Sequence, residues 1–113
     1  MTNIQIKTKN NNIVAFIVSG HTGYDDYGKD ILCSAVSSIT QSACLGIIKV
    51  LKINAVIKKD DKKGYLKLEL PKNLSEQKMQ EAQIILKTMQ LSLNDLLSSY
   101  SDYIKLEVQD EIY

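Results

Sequence analysis

The sequence predicts an α+β fold: a small mixed β-sheet with two helices packed on one face, in the order β-β-α-β-β-α-β. Three observations carry this reading. Two long segments, one opening at Asp30 and one at Ser75, repeat apolar residues three and four apart, the period of a helix face. Short runs rich in β-branched residues or alternating in polarity flank them, as strands do. Clusters of Asn, Asp and Gly separate the runs, and Pro71 stops one of them. At 113 residues, the chain forms one domain, 1–113, and can bury a core without a metal or disulfide staple.

The elements follow in order. Ile4 to Lys9 and Ile13 to Ser19 read as strands joined by the turn Asn10-Asn11-Asn12. Val14 to Val18 is almost continuously apolar, so this strand is the more central one. It offers apolar groups to both sheet faces, and a symmetric dimer would cover the excess. Gly20 to Lys29 reads as a loop, with glycines that admit backbone shapes closed to other residues. Its length and placement predict mobility in the free protein and order over a bound ligand. A helix then starts with Asp30 as its cap and shows an apolar face of Leu32, Val36, Ile39, Ala43, Ile47 and Val50. Ala55 to Lys59 and Tyr65 to Leu70 form a hairpin, in which Leu66, Leu68 and Leu70 face one way and Tyr65, Lys67 and Glu69 the other. The charged run from Lys58 to Lys63 reads as its solvated tip. A second helix opens at Ser75, with Met79, Ala82, Ile85, Leu86, Met89, Leu93, Leu96 and Leu97 on its buried face. Tyr103 to Gln109 closes the sheet.

Composition excludes several classes. The formal net charge is +1, Arg is absent, Trp is absent and Phe occurs once. A nucleic-acid surface normally shows a basic excess with Arg for base edges, so no direct nucleic-acid contact is expected. Two cysteines and one histidine fit neither a disulfide scaffold nor a zinc pattern. No basic head followed by an apolar run opens the chain, and no uninterrupted apolar run approaches 18 residues. The expected address is therefore cytoplasmic, with no membrane.

One constellation carries chemistry. His21 follows the apolar strand directly, and Cys33 comes twelve residues later, near the expected start of the first helix. A strand end and a helix start can meet across such a loop. An imidazole beside a thiol supplies a base and a nucleophile for attack on a carbonyl. Positive backbone charge at a helix start would favour the thiolate, and the N–H groups there could face a developing oxyanion. Asp30 has two open roles, capping the helix or orienting His21. A substrate crossing the cleft between Ser19 and Asp30 would need a recess for its side chains. Tyr24, Tyr27 and residues of the second helix are the candidates for lining it. Against this stands the plain reading of Cys33 as a small buried hydrophobe and His21 as a loop residue. Cys44 lies eleven positions beyond Cys33, about 16 Å along a helix, too far for a disulfide.

The segment Gly20-His21-Thr22-Gly23-Tyr24, then Gly28-Lys29-Asp30-Ile31-Leu32-Cys33-Ser34-Ala35-Val36-Ser37, resembles the signature of the Prp family of ribosomal-processing cysteine proteases. The resemblance runs over essentially the whole chain. It implies Cys33 as nucleophile and His21 as base. Asp30 and Ser37 match further polar positions of the family's site, and Gly20, Gly23 and Gly28 match its loop glycines. Ser34 stands where many relatives carry Ala, and both are small. The family implies a small cytoplasmic endopeptidase, homodimeric and without metal or cofactor. Its substrate would be the short N-terminal extension of a large-subunit ribosomal protein, cut after paired aromatic residues. The competing class is a non-enzymatic ribosome-associated or RNA-binding module, which the near-neutral charge disfavours and which has no need of a His–Cys pair.

Overall fold

The computed structural model describes residues 2–20 and 26–111, with the side chains of 31–111 in the second stretch. The chain runs β1 (Thr2–Lys9), β2 (Asn12–Ser19), α1 (Asp26–Leu45), a π-helical turn (Gly46–Val50), β3 (Val56–Asp60), β4 (Tyr65–Glu69), α2 (Glu76–Ser99) and β5 (Ile104–Asp110). This is the predicted α+β order. The strands form one sheet in the order β3-β4-β2-β1-β5. All neighbours are antiparallel except β1 and β5, which the α2 crossover makes parallel.

Asn10 and Asn11 turn β1 into β2 with φ of 53° and 65°. Two consecutive positive φ values match the right-handed twist of the flanking strands, and Asn tolerates them well. The cross-strand pairs Ile4–Val18, Ile6–Phe16, Phe16–Leu68 and Val18–Leu66 put one apolar set on one face. With Leu32, Val36 and Ile47 from the first helix and Ala82, Leu86, Met89 and Leu93 from α2, they form the core. Burial of this kind contributes about 1.5–3 kcal/mol per large side chain and dominates folding.

The opposite face corrects the sequence reading. Gln5, Lys7, Lys67 and Glu69 share it with Ala15 and Ile17. Register explains why: Lys7 pairs with Ala15 and Thr8 with Ile13, so Val14 is the extra residue of a bulge and the apolar run is not evenly split. The apolar groups left on the open face are few, chiefly the partly buried Ile17 and the exposed Val56, set among charged neighbours.

The bulge also explains Gln83. With the ladder interrupted, Ile13 is buried and needs partners for both backbone groups. The Gln83 amide serves both. The Ile13 N–H donates to Oε1 at 2.6 Å, and Nε2 donates to the Ile13 carbonyl at 2.9 Å.

α1 begins four residues earlier than predicted, at Asp26, so Asp30 is inside the helix and does not cap it. Residues 26–29, including Tyr27 and Gly28, are helical backbone rather than loop. At its other end the helix widens into a π turn. The Leu51 N–H reaches the Gly46 carbonyl at 2.9 Å, and the Ile53 N–H reaches that of Ile47 at 3.0 Å. Lys52, at φ 59°, closes the turn in the left-handed region. A Cβ on Gly46 would lie 2.8 Å from Ile85 Cδ1, so the glycine lets α2 approach closely. Val50, placed on the buried face by periodicity, is 74% exposed. The π turn adds a residue to the helical repeat and rotates it outward.

The segment Ile31–Val50 is long and apolar enough to cross a membrane by length and composition. A search for uninterrupted runs passes over it, because Ser and Thr are interspersed. Here it serves as a core helix, with Leu32, Val36, Ala43, Cys44 and Ile47 buried.

Candidate active site

Cys33 is half-buried on α1 and opens onto a cleft of about 170 Å³. One wall is α1 itself: Cys33, Ser37 and Gln41 follow at four-residue intervals and therefore share a face. The facing wall comes from the sheet, with Val18 and Gly20 at the end of β2 and Tyr65 and Leu66 at the start of β4. Lys59, Asp61 and Gly64 of the β3–β4 hairpin close one side. Gly20 adopts φ 86°, in the region that favours glycine, and there the chain leaves the strand.

A polar chain runs down the α1 wall. Gln41 Nε2 donates to Ser37 Oγ at 2.5 Å, Lys59 Nζ donates to Gln41 Oε1 at 3.5 Å, and Lys59 stands 3.6 Å from Asp61. The Ser37 hydroxyl thus accepts from Gln41, which leaves its own proton available to donate. Thr40, buried behind it, gives its hydroxyl to the Val36 carbonyl at 2.9 Å.

Among the sequence-derived candidates, Cys33, Ser37 and Gly20 come together around this cleft. His21, Gly23 and Tyr24 lie outside the described residues, and the side chains of Tyr27 and Asp30 do as well. The predicted ordering of the loop on peptide binding likewise falls on residues outside the description, apart from the helical 26–29. Cys33 is seven residues into α1, about 10 Å from its start, whereas helix-terminal charge fades within the first turn. The thiolate cannot rely on the helix terminus, nor can the N–H groups of that terminus face its oxyanion. No α2 residue is among the cleft's described lining.

Sequence reasoning missed Gln41, Lys59 and Asp61. The four-residue step from Cys33 through Ser37 to Gln41 was readable. The role of the charged hairpin was not, because Asp61 is largely solvated and only the base of the tip leans on the cleft. Cys44 sits farther down α1, where burial pushes its thiol up to about 11. It is a neutral apolar group at ordinary pH. Among the described residues, no group of three or more His, Cys, Asp or Glu is placed to hold a metal ion.

Comparison with known proteins places this arrangement. Residues 1–105 match the family described as cysteine protease Prp. The ribosomal processing cysteine protease Prp of Staphylococcus aureus strain Mu50 is 30% identical over 90 residues, 80% of this chain and 81% of that protein. That of Bacillus subtilis strain 168 is 24% identical over 94 residues, 83% and 84% of the two chains. The crystal structure of S. aureus Prp with a covalently linked product peptide superposes with a TM-score of 0.84 at 26% identity. It covers 96% of this chain and 100% of that one. A Streptococcus mutans structure at 18% identity and TM-score 0.86, covering 98% and 96% of the two chains, shows the same fold. With a family match over nearly its whole length and a cysteine opening onto a cleft at the strand end, the chain belongs to the Prp family of cysteine proteases and is a cysteine endopeptidase.

Proposed function

We propose that this protein removes a short N-terminal extension from a large-subunit ribosomal protein, cutting after aromatic residues, with Cys33 as nucleophile and His21 as general base. The observation that carries the reading is the cleft itself: Cys33 and Ser37 on one helix face, opposite Gly20, the residue joined directly to His21. The curated relatives are named ribosomal processing proteases, and one was crystallised with a substrate peptide. Membership of a protease family removes the non-enzymatic module as an alternative.

The chemistry follows from the groups. His21 takes the Cys33 proton, and the sulfur attacks the scissile carbonyl. The negative charge that develops on the carbonyl oxygen needs donors, and the Ser37 hydroxyl is the candidate on the cleft wall. Collapse breaks the C–N bond, and His21 returns the proton to the departing amine. Water, deprotonated by His21, then hydrolyses the thioester and regenerates the thiol. Asp30, no longer a cap, serves by orienting His21. The glycines Gly20, Gly23 and Gly28 let substrate backbone approach closely. Tyr24 and Tyr27 are the aromatic residues proposed to meet the substrate's aromatic side chains, joined by Tyr65 on the cleft wall. The enzyme works in the cytoplasm as a homodimer, and exposed Ile84 and Leu91 on α2 offer apolar surface for that contact.

The test is to mix the purified protein with the extended ribosomal protein and locate the cut by mass spectrometry. A single cut after an aromatic pair is expected. Broad cleavage of casein, or equal rates when the aromatic residue before the cut becomes Ala, would overturn the reading. The lost burial should lower kcat/KM about ten- to a hundredfold.

A further inference from the structure

Beside the Cys33 cleft lies a second recess, of about 270 Å³, between the first helix and β3. Cys44, Leu45, Ile48 and Ile57 line it, and Leu66, Gln41 and Lys59 belong to both recess and cleft. The two are therefore one continuous groove along the helix. Its first part is polar, with Ser37, Gln41 and Lys59. Its second part is apolar, and the neutral thiol of Cys44 adds to that character. Leu45 and Ile57 stay 58% and 37% exposed, although both belong to an apolar wall. β3 is the outermost strand of the sheet, so its far edge has no strand neighbour among the described residues. Such an edge can pair with an extended chain.

The groove has a length scale. Cys33 and Cys44 are eleven residues apart on α1, about 16 Å at 1.5 Å per residue. An extended peptide covers that distance in about five residues at ~3.3 Å each. We propose that the recess holds an apolar side chain of the substrate about five residues before the scissile bond, making Cys44, Leu45 and Ile57 specificity determinants. The side before the bond is favoured because the other side continues into a folded ribosomal protein, whose bulk does not fit a groove one chain wide. The short extension is also the only part that distinguishes a precursor from its product. This inference rests on the processing reading above.

The test uses synthetic peptides spanning the extension and the first mature residues. The fourth, fifth and sixth residues before the cut are all Ser in a parent peptide, and Leu is placed at one of them at a time. The wild-type enzyme should cut one Leu peptide about tenfold or more faster than the parent, in kcat/KM. In Leu45→Glu and in Ile57→Ser the ratio between those two peptides should fall towards one. Because each variant is compared with itself, a general loss of activity does not mimic the effect. Equal rates on all four peptides, or an undiminished ratio in both variants, would overturn the recess and leave the processing reading standing. Failure of the wild-type enzyme to cut any of them would remove both.

Discussion

The two ends of the helical layer follow different rules. Where α2 crosses the sheet, the buried residues are apolar apart from Gln83, which meets the interrupted ladder with two hydrogen bonds. Where α1 faces the end of β2, the wall is Cys33, Ser37, Gln41 and Lys59, groups that pack poorly and face a cleft. The first region serves stability, and the proposed function assigns the second to chemistry. Substitutions should therefore separate the two.

The largest effect is expected at Cys33. Cys33→Ala should reduce peptide cleavage at least about a thousandfold, since the covalent step is lost. The same change should leave the melting temperature nearly unmoved, because the side chain is only half-buried at a cleft edge. Peptide cleavage and thermal unfolding on one sample check both halves. A variant that keeps its activity, or one that unfolds, would erase the contrast between the regions.

Gln83→Ala is the converse. It leaves the Ile13 N–H and carbonyl buried without partners, at a cost of about 3 kcal/mol. Chemical denaturation should show a lower midpoint with an unchanged slope, while kcat/KM of the folded fraction stays close to wild type. A loss below about 0.5 kcal/mol would mean that water replaces the amide at the bulge.

These two residues also show what a sequence discloses. Period-three and period-four spacing found both helices, and alternation found the β3–β4 hairpin, because burial imposes those periods directly. Cys33 and His21 stand out by type, since so few side chains do nucleophilic chemistry. Gln83 escaped because a polar residue on an apolar face becomes intelligible only beside Ile13 at the bulge, seventy residues away. The start of α1 was misplaced because Gly28 argues for a loop by propensity. The helix runs through it nonetheless, at a local cost of about 1 kcal/mol. Lys59 and Asp61 looked like any charged tip, since sequence does not say that a hairpin leans over a neighbouring helix.

Cys44 sharpens the comparison through pH. Its thiol is raised from 9.0 to about 11 by burial, so folding favours the protonated form. Below pH 9 the thiol is protonated in both states and its full contribution is present. Above pH 9 the unfolded chain ionises first, and stability falls until the folded thiol also ionises near pH 11. The fall amounts to about 3 kcal/mol at most. Lys and Tyr titrate in the same window, so the measurement is the difference between wild type and Cys44→Ala. The variant should be weaker by a constant amount at neutral pH and lose less between pH 9 and 11. Parallel curves would show that the thiol ionises freely where it sits. In the same protein at neutral pH, iodoacetamide should label Cys33 well ahead of Cys44, since the thiolate is the reactive form.

The smallest expected effect lies at the start of α2, far from the cleft. Ser75 adopts an extended conformation and accepts the Lys78 N–H at 3.2 Å, while Glu76 places negative charge in the first turn. Ser75→Ala removes one cap hydrogen bond from an exposed position, so it should cost about 1 kcal/mol. Ser75→Asp should restore that loss, because its carboxylate accepts the same N–H and complements the helix dipole. Neither change should alter kcat/KM, since no α2 residue is among the cleft's described lining. Thermal unfolding of the pair, with cleavage assayed below the transition, decides the matter. If Ser75→Ala slows cleavage in the folded protein, then α2 is coupled to the catalytic cleft, and the division of labour between the two helices fails.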